Sequence, residues 1–69
     1  MNADRLVRMA NDIGNFFKSE PDHAVAVDGI AGHIKRFWDP RMRKAILEYV
    51  EGGGAGLMDL AREAVLKLR

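Results

Sequence analysis

The residue types that enzymes use for chemistry are sparse in this 69-residue chain. His23 and His33 are its two histidines and lie ten residues apart, whereas a zinc site on one helix uses histidines about four residues apart or a cluster with further ligands. Ser19 is the one serine, and no histidine–acid arrangement accompanies it. The absence of cysteine excludes a disulfide scaffold, a thiol nucleophile and zinc–cysteine or iron–sulfur sites. We therefore predict no catalytic, cofactor-binding or metal-binding residue, and no enzymatic activity of the chain's own.

The glycine-rich run at residues 52–56 (GGGAG) has the composition of a phosphate-binding loop but not its context. Such a loop follows a strand and ends in Gly-Lys-Ser or Gly-Lys-Thr. This run follows a helical pattern, and Leu57 and Met58 come next. We interpret it as a flexible connection between two helices.

Residues 35–44 (KRFWDPRMRK), here called the basic stretch, are the strongest local feature. They carry a net charge of +4, while the rest of the chain carries −3, and they contain the one tryptophan. Arginine and aromatic anchors dominate protein interfaces, and basic residues beside aromatic rings also bind nucleic acid. The alternative is that the aromatic rings pack in the core and that the cations lie on the surface in contact with solvent alone. We predict that the partner-binding residues are Arg36, Trp38, Arg41, Arg43 and Lys44.

Within this stretch, Phe37 and Trp38 are given different roles. We expect Phe37 to belong to the core, so that its replacement by alanine would cost about 3–5 kcal/mol. Trp38 points about 100° away around the helix axis, and we expect it at the edge of the core with part of its ring exposed. Arg41 lies near the start of a predicted helix, where the helix dipole disfavours a cation. That local cost favours an anionic partner outside the chain.

Four segments with helical periodicity must position these residues. We predict helices over about 3–18, from a start within 19–22 to about 37, over 40–51 and over about 57–68. Ser19 is the predicted cap of the second helix, and Asp39 caps the third with Pro40 at its first position. No strand-like alternation occurs, so the predicted fold is all-α: one domain over residues 1–69, a small bundle of about four helices with short connections.

Composition narrows the functional classes further. The net charge of +1 argues against a dedicated nucleic-acid binder, and no apolar run is long enough to span a membrane. The N-terminal residues lack the apolar core of a signal peptide, so we expect a cytoplasmic location. Apolar burial and chain entropy nearly cancel in so short a chain, and a partner surface is the remaining means of stabilising it. We expect the isolated chain to be moderately stable and open to self-association.

Three blocks of the sequence resemble one known family over nearly the whole chain. Residues 6–17 (LVRMANDIGNFF) resemble the opening of the small delta subunit of NAD-dependent, molybdenum-containing formate dehydrogenase. Residues 30–43 (IAGHIKRFWDPRMR) look like the family's most characteristic block, which is most specific from residue 37 onward. Residues 53–57 (GGAGL) and the helix after them are similar to its close.

The resemblance implies a non-catalytic accessory subunit that binds the large catalytic subunit and supports assembly, stability or cofactor insertion. It also implies that the partner subunits carry bis-molybdopterin guanine dinucleotide, iron–sulfur clusters, FMN and the NAD site. One alternative is a transient maturation chaperone that would use Arg41, Arg43 and Lys44 against anionic phosphates. A small nucleic-acid-binding helical domain is the other alternative, and the basic stretch is its sole support.

Overall fold

The computed structural model describes residues 2–69 and confirms the all-α prediction. Its helices are α1 (Ala3–Phe17), α2 (His23–Phe37), α3 (Pro40–Glu51) and α4 (Asp59–Leu66). The last helix is shorter at both ends than the periodicity of residues 57–68 predicts. Helix α2 packs against α1 and α4, and α3 packs against the same two helices. Within the described residues, no helix is long and apolar enough to cross a membrane.

The start of α2 differs from its prediction. Asp22, not Ser19, is the N-cap: its Oδ1 accepts hydrogen bonds from the backbone N–H of Ala24 at 3.0 Å and of Val25 at 3.3 Å. Asp22 has the extended backbone of a cap residue, with φ −89° and ψ 110°, and directly precedes the first helical residue. Ser19 lies in the preceding turn, too early to reach the free N–H groups of α2.

The start of α3 confirms its prediction. Oδ1 of Asp39 accepts a hydrogen bond from the backbone N–H of Met42 at 2.9 Å, and Pro40 occupies the first helical position. Proline suits that position because its missing N–H would have no partner in the helix. This boundary separates the cations of the basic stretch that belong to the end of α2 from those that belong to α3.

The core lies where the four helices meet and is entirely apolar among the described residues. Its largest fully buried side chains are Ile30, Ile34, Ile46 and Val65. Trp38 joins them with 4% of its surface exposed, while Phe37 is 70% exposed. The expectation of a buried Phe37 and a partly exposed Trp38 is therefore wrong.

The reversal of Phe37 and Trp38 follows from the positions four residues earlier. Trp38 follows Ile34 at that spacing and so continues the buried stripe of α2. It is the C-cap residue, with an extended backbone at φ −91° and ψ 140°. Phe37 follows His33 at the same spacing, and the two rings pack with centroids 4.7 Å apart on the outside of the helix.

The glycine-rich connection between α3 and α4 is fixed by hydrogen bonds and is not the loose linker that its composition predicts. Gly54 and Gly56 have positive φ angles of 66° and 88°, which other residues rarely adopt. The side chain of Asn11 in α1 donates to the backbone oxygen of Gly56 at 2.9 Å and accepts from the backbone N–H of Met58 at 2.9 Å. This pair of bonds holds the start of α4 against α1.

Candidate interaction surface

Two features of the structure are candidates for binding a partner: the predicted basic stretch and an aromatic surface formed by α1 and α2. In the basic stretch, the side chain of Arg43 forms hydrogen bonds within the fold. Its Nη1 donates to the backbone oxygens of Trp38 at 2.5 Å and Lys35 at 3.2 Å. These carbonyls belong to the end of α2, where no further turn of helix supplies donors. Arg43 therefore closes the C-terminus of α2 and is half-buried.

The other cations of the stretch lie on the surface. Arg36 is exposed, and its Nε donates to the backbone oxygen of Gly32 at 3.3 Å. Lys35, Arg41 and Lys44 are exposed too. Among residues 2–69, no cation of the basic stretch forms an ion pair with a carboxylate. The acid of the stretch, Asp39, is occupied as a helix cap. The charge of +4 is therefore not neutralised by this chain's own contacts.

Trp38 does not share the exposed surface with these cations. Its ring is buried, so the expected arrangement of an exposed indole edge between Arg41 and Arg43 is wrong. A role for Arg36, Arg41, Arg43 and Lys44 in partner binding stays a prediction. Trp38 would contribute to it by holding the α2–α3 corner in shape.

A second surface is formed by apolar and aromatic side chains of α1 and α2, and we call it the aromatic face. Phe16 is 78% exposed and Phe37 is 70% exposed. The rings of Phe16 and Phe17 meet edge to face, with centroids 5.2 Å apart. The members of the aromatic face are Ile13, Phe16, Phe17, His33 and Phe37.

An open groove of about 410 Å³ lies within this face. Its lining residues are Asp12, Ile13, Phe16, Phe17 and His33. All but Asp12 and His33 are purely apolar side chains. The groove therefore offers an apolar floor with one carboxylate on the α1 side and one imidazole on the α2 side.

Gly29 explains why α1 presents two phenylalanines in this way. A Cβ atom at Gly29 would lie 2.5 Å from Cε1 of Phe17, so the missing side chain is the space into which Phe17 packs. Phe16 is the preceding residue and points about 100° away around α1, which leaves its ring outside the contact between the helices. One ring thus fixes the helix pair and the other remains exposed.

The aromatic face was not predicted from the sequence. A signal was nevertheless present. Phe16 and Phe17 are adjacent, as are Phe37 and Trp38, and two adjacent residues of a helix cannot both point at the centre of a narrow core. Each pair predicts one buried and one exposed ring, although the pattern alone does not say which.

The two histidines lie on different sides of α2. His23 faces α4 and pairs with the carboxylate of Glu63, with both side chains more than half exposed. His33 faces α1 and lines the groove. In the part of the chain that the structure describes, no three histidine or acidic side chains converge as metal ligands would. The structure therefore assigns His33 to the aromatic face and His23 to the contact between α2 and α4.

The fold and these surfaces define the class: a small all-α protein that exposes aromatic rings and, within residues 2–69, cations without carboxylate partners. Residues 5–65 match the family described as the NADH-dependent formate dehydrogenase delta subunit, FdsD. The match spans most of the chain, and the chain belongs to this family. No curated protein and no solved structure matches it. The resemblance found in the sequence blocks is thereby confirmed.

Proposed function

We propose that this chain is a non-catalytic accessory subunit that binds the large catalytic subunit of formate dehydrogenase. Its contribution is to support assembly, stability or cofactor insertion. Family membership supports a place in a formate dehydrogenase, because the family is described as a delta subunit of that enzyme. In this proposal the bis-molybdopterin guanine dinucleotide, the iron–sulfur clusters, FMN and the NAD site belong to the partner subunits.

The observation that carries the proposal is the exposure of two phenylalanine rings, Phe16 and Phe37. Burying a side chain of this size stabilises a structure by about 1.5–3 kcal/mol, and the fold leaves that gain unrealised at both positions. Contiguous exposed apolar surface on a small protein marks sites of protein contact. A partner subunit that covers these rings supplies the burial that a 69-residue chain lacks on its own.

Co-purification tests this proposal. A tagged copy of the chain is produced in cells that make the complete enzyme, and the recovered proteins are identified by mass spectrometry. We expect the large catalytic subunit to be retained, and an equally tagged helical protein of similar size to retain none. If the tagged chain never retains the large subunit under these conditions, the proposal fails.

A transient maturation factor is the second candidate function, and the unpaired cations favour it. Arg41 and Lys44 are exposed and meet no carboxylate within the described chain, so they are available to the phosphate groups of an anionic cofactor. Stoichiometry separates the two functions. A permanent subunit is present in the purified active enzyme in a fixed ratio, whereas a transient factor accompanies the cofactor-free form and is absent from the active one.

A further inference from the structure

We propose that the aromatic face and the cations at the C-terminal end of α2 form one continuous docking surface for the catalytic subunit. The complementary surface would be an apolar pocket with carboxylates at the edge that meets α2. This inference rests on the proposed function and adds to it the position and the chemistry of the contact.

The apolar half of the surface is already held in its binding geometry. Phe17 is fixed in the space above Gly29, and Phe37 packs on His33 at 4.7 Å. Phe16 meets the edge of Phe17 and stays exposed. A surface whose rings are ordered before binding loses less conformational entropy when a partner covers it. Large aromatic side chains near the centre of a contact are also the residues that most often dominate binding energy.

The charged half commits the occupant to a partner with carboxylates. Toward the C-terminus of the described chain, cations meet acids: Lys67 pairs with Asp28 at 2.9 Å and Arg69 with Glu51 at 3.5 Å, whereas the cations of α1 do not. The cations of the basic stretch have no such partner, and Arg36 directly precedes the exposed Phe37. Complementary charge across an interface raises the association rate and selects against wrong partners.

Because of Asp12, the two sides of the proposed surface differ in charge. Asp12 lines the α1 side of the groove, whereas Arg36 belongs to α2. Carboxylates of the partner are therefore expected opposite the α2 side and would be repelled opposite α1. This sets the orientation of the partner across the groove.

The size of a stable interface also requires both halves. A specific interface buries about 800 Å² on each partner. This chain exposes 4429 Å² in total, so such an interface would cover about a fifth of its surface. An interface of that area extends beyond the five side chains of the aromatic face, and we place the extension on the corner between α2 and α3, which follows Phe37 along the chain. The basic stretch occupies that corner.

The first test removes the two exposed rings. The double variant Phe16→Ala, Phe37→Ala is compared with Val25→Ala, which shortens another exposed apolar side chain of α2 that does not line the groove. Each is a tagged full-length chain in cells that make the complete enzyme, and the ratio of large subunit to chain is measured after purification. We expect that ratio to fall at least about tenfold for the double variant and to stay unchanged for Val25→Ala. Circular dichroism of the purified chains verifies that both remain helical.

The second test reverses one charge. Arg36→Glu is compared with Arg8→Glu, which reverses an exposed cation of α1 outside the groove. We expect retention of the large subunit to fall for Arg36→Glu and to depend less on salt than in the wild type. The Arg8→Glu chain should retain the large subunit as the wild type does.

The outcomes separate this inference from the proposed function. If the wild-type chain retains no large subunit, the proposed function itself fails. If the wild type retains it and the double variant retains it equally well, the proposed function stands and the docking surface is wrong. The surface is also wrong if the double variant abolishes self-association of the isolated chain, measured by analytical ultracentrifugation, while retention of the large subunit is unchanged. In that case a second copy of the chain occupies the aromatic face.

Discussion

The two sides of α2 are built on different principles. On the side of α4, polar groups meet across the helix contact: His23 pairs with Glu63, and Asp28 accepts a hydrogen bond from Nζ of Lys67 at 2.9 Å. On the side of α1, no ion pair joins the helices within the described residues, and the contact is aromatic. There Phe17 packs against α2, while Phe16 and Phe37 remain exposed.

This difference indicates which side of α2 would gain more free energy on binding a partner. Exposed ion pairs contribute about 0–1 kcal/mol each, so the α4 side gains little stability from them, but its charges are neutralised and suited to water. Exposed aromatic rings are the opposite case, because their burial is favourable and this chain does not bury them. A partner gains more from covering the α1 side of α2 than from covering the α4 side.

The largest expected effect tests the assignment of the buried and the exposed ring. Trp38→Ala should cost about 3–5 kcal/mol, which is most or all of the stability of so small a domain. Phe37→Ala should change the free energy of unfolding by no more than about 0.5 kcal/mol, because its ring is mostly exposed. Urea denaturation followed by circular dichroism measures both. A larger loss for Phe37→Ala than for Trp38→Ala would reverse the assignment.

A smaller effect is expected from Arg43, the cation of the basic stretch that donates hydrogen bonds to the end of α2. Arg43→Ala removes donors from the carbonyls of Trp38 and Lys35 and should cost about 2 kcal/mol, the usual worth of hydrogen bonds to a charged group. Arg41→Ala is the matched control, and its effect should stay within about 0.5 kcal/mol because its side chain is exposed. Equal effects of the two variants would show that Arg43 does not close the end of α2.

The fold could be predicted from the sequence more completely than the surface. Periodicity and the Asp39–Pro40 boundary are local signals, and they placed the helices and the cap of α3. The prediction of the N-cap of α2 was wrong because Ser19 and Asp22 both suit that role, and the geometry of the turn decides between them. The positions of Phe37 and Trp38 were predicted in reverse, because the sequence does not show that His33, four residues before Phe37, lies outside the core and Ile34, four residues before Trp38, lies within it.

The candidate site required information that no local pattern contains. Phe17 packs into the space at Gly29 of another helix, and the aromatic face exists because these two positions meet. The ion pairs on the α4 side of α2 join residues about 40 positions apart: His23 with Glu63 and Asp28 with Lys67. Composition showed that the basic stretch was charged, but its lack of carboxylate partners became evident only from the folded chain.

The packing of α1 against α2 can be altered at Gly29, and a second glycine of α2 provides the control. Gly29→Ala places a methyl group against the ring of Phe17, and the net cost should be about 1 kcal/mol after the gain in helix propensity. Gly32→Ala has room, since its nearest neighbour is Nη2 of Arg36 at 3.8 Å, and should stabilise α2 by up to about 1 kcal/mol. Thermal melting compares the two variants. If both raise the melting temperature, Phe17 moves aside freely and does not fix the helix pair.

The smallest effect is expected on the α4 side, from the ion pair between Asp28 and Lys67. Asp28→Asn keeps the size and the position of the side chain and removes its charge. Both side chains are more than half exposed, so solvent screens the attraction and the loss should be below about 0.5 kcal/mol. Retention of the large subunit should be unchanged, because the charged groups on this side of α2 are already paired within the chain. A clear loss of retention without loss of stability would place the docking surface on the α4 side and invert the comparison between the two sides of α2.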